Sequence, residues 1–455
     1  MKKLVIYSKL IILSFLMVAC ENYFDEHIPK DQIDESKVFE DDKMAQSAMA
    51  YVYTLLRNEG FFSGSRNGGG FLLACYTDEL EVTDTDAAAY SNFFKGTVTS
   101  SNAMITGLWN SSYKQIYAVN NIIEGVTENE HLSIELSNRL RGEALAIRGI
   151  IHFYLANTFG QVPFITTTNY TINSKIGKNT VNQVNDFAIA DLLQAEELLT
   201  TSYPSLEKVM LNKTVVQAFL ARIYLYNQDY DKAQYYADTV INSGLYELEP
   251  LDKVFIKESK SAIWQFKPSG NGQNAVEGVS YTFVSLPPPN AKLSSNLLNS
   301  FENNDQRKQL WTKVVMNSQE NAHAYKYKQN RPTASSLEYS VVMRLAEMYL
   351  IVAEAAAYKN DWDVFNLHIN KVRNRSSLSS VNITNIESAL NTIIQERRVE
   401  FFCEFGHRFY DLKRTNKLQI LKEVKPTWNQ NFQLLPLPEN ELILNPNLLP
   451  QNPGY

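Results

Sequence analysis

Apolar and small residues between Asn212 and Tyr246 fall in two helical stripes, separated by a polar joint at Asn227–Asp231. Ala218, Ala221 and Tyr224 mark the first stripe, and Ala233, Ala237 and Val240 the second. The steps 221→224, 224→233 and 233→237 match a tetratricopeptide repeat, in which small residues let two antiparallel helices approach closely. A second copy runs from Arg344 to Arg375. Sliding the chain by 132 residues sets Asp361-Trp362-Asp363 on Asp229-Tyr230-Asp231 and Ala353 on Ala221. Two ordinary helical hairpins would not share both length and joint chemistry. One such unit cannot bury its apolar face alone, so two copies imply further helix pairs.

Other stripes supply them. Met44, Ala48, Tyr51 and Leu55 recur at helical steps from Asp41 onward. Ala103–Val126 carries Ile105, Leu108, Ile116, Val119 and Ile123 on one face. Leu136–Thr158 carries Leu140, Ala144, Ile147, Ile151 and Tyr154, and stops at Gly160 with Pro163 beyond. These two read as a third hairpin. Asn182–Thr200 turns Ala188, Leu192, Ala195 and Leu199 inward; Ile386–Phe402 does the same with Leu390, Ile393, Ile394 and Phe401. The pattern predicts a mostly α fold, a scaffold of tetratricopeptide-like helix pairs over about 41–58, 103–246 and 341–424, within one domain spanning 41–455. Between the helices the period is lost. In 60–100, glycines at 64, 68, 69 and 70 predict a loop. In 247–340, Pro268, Gly270, Gly272 and Pro287–Pro289 interrupt short strand-like runs at Ala262–Phe266 and Val279–Val284. Residues 165–182 read as polar loop, and the last 22 residues as Pro-punctuated coil.

Composition narrows the function by exclusion. Net charge is −6 and no Lys or Arg block follows residue 9, which argues against nucleic-acid binding. The six His show no HExxH spacing, and the three Cys no CxxC spacing, so no metal site is predicted. The glycine loop lacks the Lys-Ser/Thr of a phosphate loop, no GxSxG elbow occurs, and no cofactor signal is present. Glu396, Glu400 and Glu404 stand one helical turn apart and invite a glycosidase acid–base reading. Arg397, Arg398, Arg408 and Arg414 interleave with them, however. Pairing with Arg lowers a carboxyl pKa, the wrong direction for a general acid, so a structural charge lattice and no catalytic residue is the expectation.

The N-terminus adds a location. Lys2, Lys3 and Lys9 precede an apolar run from Leu10 to Val18, which reads as a signal peptide over residues 1–19. It ends at Ala19-Cys20, which resembles the lipobox of bacterial lipoproteins and makes Cys20 the lipidation candidate. Residues 20–40 are acidic and lack apolar periodicity, and so read as a flexible tether.

Three ordered stretches resemble the SusD/RagB family of outer-membrane glycan-binding lipoproteins: residues 139–164, residues 343–355 together with 393–414, and LLPLPENELILNPNLLPQNPGY at 434–455. The resemblance implies capture of an oligosaccharide at the cell surface and delivery to a SusC-like TonB-dependent transporter. It also implies an outer-membrane anchor through Cys20, and binding without hydrolysis. A helical scaffold that binds only protein, or a surface glycoside hydrolase, are the alternatives. Sugar rings stack on aromatic faces while their hydroxyls need polar rims, and loops on a rigid scaffold carry function. By residue type and segment the glycan-binding candidates are Tyr76, Asp78, Tyr281, Phe283 and Trp311, with Arg66 beside them.

Overall fold

The long helices pack one on the next in chain order. Ala103–Val126, Ile134–Phe159, Val181–Leu198, Lys213–Tyr226, Tyr230–Ile241, Leu345–Tyr358 and Trp362–Arg375 each lie against their predecessor. Ile386–Phe401 then closes on Leu345–Tyr358, and Asp42–Asn58 covers the start of the stack. This is a computed structural model; it describes residues 38–83, 90–317 and 319–455. Cys20, the signal sequence and nearly all of the 20–40 tether lie outside the described residues.

Most of the long helices start where the sequence supplies a side-chain acceptor, Leu345–Tyr358 being an exception. Asn102, Ser133, Asn212 and Asn385 each accept from a backbone N–H of the first turn. Thr180 and Gln183 form a reciprocal capping box. A cap of this kind is worth about 1 kcal/mol. Gly160 ends Ile134–Phe159 at φ +81°, a conformation a β-carbon would strain.

The two repeat copies agree atom for atom at their joints. Gln228 and Asn360 both adopt left-handed φ, +61° and +57°. Asp229 N–H donates to Tyr224 O and Asp361 N–H to Ala356 O, each at 2.9 Å. Asp229 and Asp361 then cap their second helices. Ala218, Ala221, Ala233, Ala237 and Ala353 are fully buried, so the close helix approach is real. The copies also touch: the Tyr230 ring stacks on Tyr358 with centroids 4.1 Å apart.

Residues 247–340 are an insertion that leaves the stack unbroken, because Tyr230–Ile241 packs directly on Leu345–Tyr358. Among the described residues six short strands form antiparallel pairs: β1 (Leu80–Val82) with β3 (Ala291–Leu293), β2 (Ala262–Phe266) with β6 (Ser340–Arg344), and β4 (Thr312–Met316) with β5 (Glu320–Ala324). The β2–β6 pair stitches the insertion shut at its base, since β6 runs straight into Leu345. The β1–β3 pair, with Leu80 opposite Leu293, joins the 60–100 segment to the insertion.

Four local expectations change. Gly69 and Gly70 do not lie in a loop but open a buried helix, Gly69–Tyr76, where a Gly70 β-carbon would meet the Phe405 backbone. Val279–Val284 is not a strand: Val276–Tyr281 is a short helix that turns Tyr281 inward and leaves Val279 in solvent. A short apolar run fits either period, and packing decides. The 165–182 loop contains one helical turn, Tyr170–Asn173, and the C-terminal coil contains Glu439–Leu444. No helix of the described residues is long and apolar enough to cross a membrane.

Candidate functional site

The C-terminal carboxylates are locked inside. Glu400 accepts from Arg307 at 3.0 Å and also from Arg344 and Arg375; Glu396 accepts from Arg307 at 2.6 Å and Arg373 at 3.2 Å. Glu404 accepts from Arg344 at 2.9 Å and from Lys326. Burial works to raise the Glu400 carboxyl, yet Arg375, Arg344 and Arg307 together hold it well below the usual carboxylate range. Glu396 goes the other way, raised by burial that its two arginines do not offset, against the lowering expected from sequence. The partners differ from expectation too. Arg397 bonds Asp411 at 2.7 Å, Arg398 and Arg408 reach Asp78, and Arg414 bonds Glu354 and Asp411. A helix buried on several sides takes its ion partners from the elements packed against it, not from its own next turn.

Five of the six sugar-site candidates are built into the interior, so in this conformation they offer no open face to a ligand. Tyr76 is 1 % exposed, ringed by Phe93, Phe409 and Trp428, and its hydroxyl donates to Phe432 O at 3.1 Å. Trp311 is likewise 1 % exposed; its indole N–H donates to Leu251 O at 3.0 Å, and Lys326, Arg344 and Arg375 lie over its ring. The ring faces a sugar would need are covered by cations. Tyr281 is buried against Phe71, and Phe283 against His323. Asp78 is buried and held by Arg398 at 2.7 Å and Arg408 at 2.8 Å. Burial opposes its ionisation, but these guanidiniums keep its carboxyl below the ordinary value. Glu79 beside it has no such clamp. Burial and the Asp78 charge push it up to about 8, and its Oε1 has no partner among the described residues.

Arg66 alone of the six stays half-buried, and among the described residues it forms no ion pair. It follows Ser65 at the edge of a groove of about 320 Å³ where the two irregular segments meet. Arg57 and Asn58, ending Asp42–Asn58, form one wall with Ser63 and Ser65; Gln273, Asn274, Val276 and Val279 form the other. Arg57 Nη1 donates to Lys267 O at 3.1 Å and has no carboxylate partner among the described residues. Asn274 is a clamp: its Oδ1 accepts from Leu337 N at 2.8 Å and its Nδ2 donates to Thr333 at 2.9 Å. Behind the wall, Glu277 accepts from Ser340, and burial pushes its carboxyl up to about 7. Gly64 lets the loop pass over that carboxyl, since a β-carbon there would lie 2.1 Å from Glu277 Cδ. The groove therefore offers planar amide and guanidinium groups between valines, a set that hydrogen-bonds hydroxyls. Reading the sequence by aromatic content passed over Arg57, Asn58 and Gln273. The available signal was planar polar residues at a helix end and just after the Pro268–Gly272 turn.

A larger depression, about 810 Å³, lies among Val181–Ile189, Tyr224–Lys232 and Tyr410–Arg414. Its cations are already engaged: Lys232 with Asp229, Arg414 with Glu354, and Lys413 with Asn157 O.

Helical repeats with a stitched irregular layer and an internal arginine–glutamate lattice define a class, and sequence comparison assigns it. A family model described as SusD-like, starch-binding and associating with the outer membrane matches residues 73–225, and the SusD family model matches 293–455. SusD-like protein P2 of Formosa agariphila is 26 % identical over an alignment covering 98 % of both chains. Among solved structures, a SusD superfamily protein from Bacteroides vulgatus superposes with a TM-score of 0.78 at 20 % identity, covering 92 % of this chain and 100 % of that one. A structure titled a laminarin-binding SusD-like protein gives 0.77 at 22 % identity, covering 91 % and 99 %. The chain belongs to the SusD/RagB family.

Proposed function

We propose that the protein captures an oligosaccharide in the groove between Arg57–Ser65 and Gln273–Val279, at the outer surface of the outer membrane. There Cys20, lipidated, anchors it, and a SusC-like TonB-dependent transporter receives the sugar. The observation that carries this reading is the groove itself: hydroxyl-binding side chains converge there on a rigid scaffold while the paired carboxylates are locked elsewhere. The laminarin-binding description of one structural relative supports a glucan as first ligand to try. No step of turnover is proposed, because the carboxylates that could serve it are bonded to arginine.

Titration calorimetry of the mature chain with laminarin and other glycans tests the reading. Arg57→Ala with Gln273→Ala is expected to weaken binding about tenfold or more, with Arg66→Ala weaker in effect. Glycan affinity unchanged in that double variant moves the site elsewhere, and a chain that binds no glycan but captures protein favours the scaffold alternative. For the anchor, Cys20→Ala is expected to release the protein from the membrane fraction. A mild-detergent pull-down is expected to recover a large outer-membrane barrel, and recovery of the protein alone argues against the transporter partnership.

A further inference from the structure

Glu277 is the second residue of the short Val276–Tyr281 helix, whose Val276 and Val279 belong to one wall of the groove described above. Backbone contacts pin this helix from behind. Ala275 N–H donates to Glu338 O at 3.0 Å, and Gly278 passes so close to Gln329 O that a β-carbon would lie 2.2 Å from it. On the groove side the Glu277 carboxyl is what the two walls share. It lies against Gly64, between the wall residues Ser63 and Ser65, and it accepts from Ser340, which also lines the groove. The loop over it is tied to itself: Ser63 Oγ donates to Ser65 Oγ at 2.9 Å, and Gly68 N–H to Ser65 O at 2.9 Å.

This carboxyl has no counter-ion. It is 5 % exposed, forms no ion pair among the described residues, and its Oε2 has no partner among them. The titratable groups that face it are Tyr281 on its own helix, Tyr327 and Glu338 between β5 and β6, and Glu404 in the arginine–glutamate lattice. Glu338 and Glu404 both oppose its ionisation, while the cations Lys326 and Arg344 are bonded to Glu404. Burial above all, with those like charges, pushes Glu277 up to about 7, and the Ser340 bond works in the opposite direction. The neutral acid is therefore the form that the folded chain accommodates in mild acid.

We propose that a proton on Glu277 holds the two walls of the groove together, so that the groove keeps its shape in mild acid and loosens in mild base. Loss of the proton leaves a buried, unpaired charge, which is costly until water reaches it. The cover that yields is the Gly64 loop, because the helix is pinned from behind and Ser340 belongs to the β2–β6 ladder. Glu277 is thus a positioning residue, and its effect on ligand capture rests on the reading of the groove given above. Methyl-labelled mature protein, free of ligand, tests the device when titrated from about pH 5 to about pH 9. The Val276 and Val279 methyls are expected to shift in one step with a midpoint of about 7. Glu277→Gln, neutral at every pH, should hold the acid positions throughout. Ser340→Ala removes a bond that favours the charged form, so its step should move to higher pH. Methyls without a step overturn the proposal. So does a step that survives Glu277→Gln, which belongs to a neighbour such as Glu338, and so does a midpoint that Ser340→Ala leaves in place. Laminarihexaose then reads the consequence: its affinity for the groove should fall by up to about tenfold per pH unit above the midpoint in the native chain, and not in Glu277→Gln. Groove affinity that ignores the step overturns the proposal. Laminarihexaose that moves no groove methyl at any pH counts against the glycan reading of the groove, and the ligand-free titration still decides for or against Glu277.

Discussion

Trp311 and Tyr117 belong to the same broad residue type and sit in opposite circumstances. Around Trp311 the interior is ionic: Lys326, Arg344 and Arg375 cover the indole and then bond Glu400 and Glu404. Around Tyr117 the lining of the surface cleft holds one carboxylate, Glu441, and neither Lys nor Arg among the described residues, and the Tyr117 ring is half exposed. Buried charge that is paired with its opposite marks what is structural in this molecule, and the half-exposed Tyr117 ring lies outside that lattice. Carboxylate pairs and buried tryptophans are often taken for function, so the contrast matters.

The sharpest way to break the contrast is to remove its centre. Glu400→Ala leaves three arginines short of an interior partner, and breaking a buried pair costs about 3–5 kcal/mol. Chemical denaturation is expected to show a loss of at least that size; a loss of under about 1 kcal/mol would mean the lattice is not holding these helices. Trp311→Ala should cost a similar ~3–5 kcal/mol as a core truncation. Tyr117→Ala should stay within about 0.5 kcal/mol of the native protein, as surface changes do. Equal losses at the two positions would erase the distinction drawn between them.

Acid and base probe the same interior with opposite signs. The Glu400 carboxyl is depressed, so its contribution is present above the unfolded carboxyl pKa of about 4.3 and is lost as pH falls through the folded value. Glu79 is raised to about 8; its contribution is full below about 4.3 and is lost as pH rises through that folded value. Glu79→Gln is therefore expected to melt higher than the native chain at pH 9 and no higher at pH 4. A melting difference independent of pH would show that Glu79 is not protonated inside the fold. The smallest expected effect is Arg66→Ala, a half-buried residue with no ion pair among the described residues, which should leave melting unchanged within about 0.5 kcal/mol while slightly weakening glycan binding.

The scaffold could be read from the chain because its signals are local. A helix joint that repeats after 132 residues declares itself in composition, and the Gln228 and Asn360 backbones repeat it in conformation. The lattice was half legible: Glu396, Glu400 and Glu404 pointed to a structural role, but their partners Arg307, Arg344 and Arg375 arrive from elements that only the fold brings near. Site residues were the least legible. Whether an aromatic is wall or platform depends on what covers its face, and nothing in the sequence around Trp311 announces three cations.

The clasp on Asp78 has a consequence for the order of events during synthesis. Arg398 lies 320 residues and Arg408 330 residues further along the chain, and Lys425 reaches back to Cys75 O at 2.8 Å. A nascent chain therefore emerges with its early acid long before the cations that neutralise it exist. Contacts this distant in sequence slow folding, because loop closure must precede any reward. The first four hundred residues form no independently finished unit on this account. A chain stopped after residue 390 would carry Asp78 beside Glu79 with neither arginine to offset them, and should remain sensitive to protease where the full chain resists.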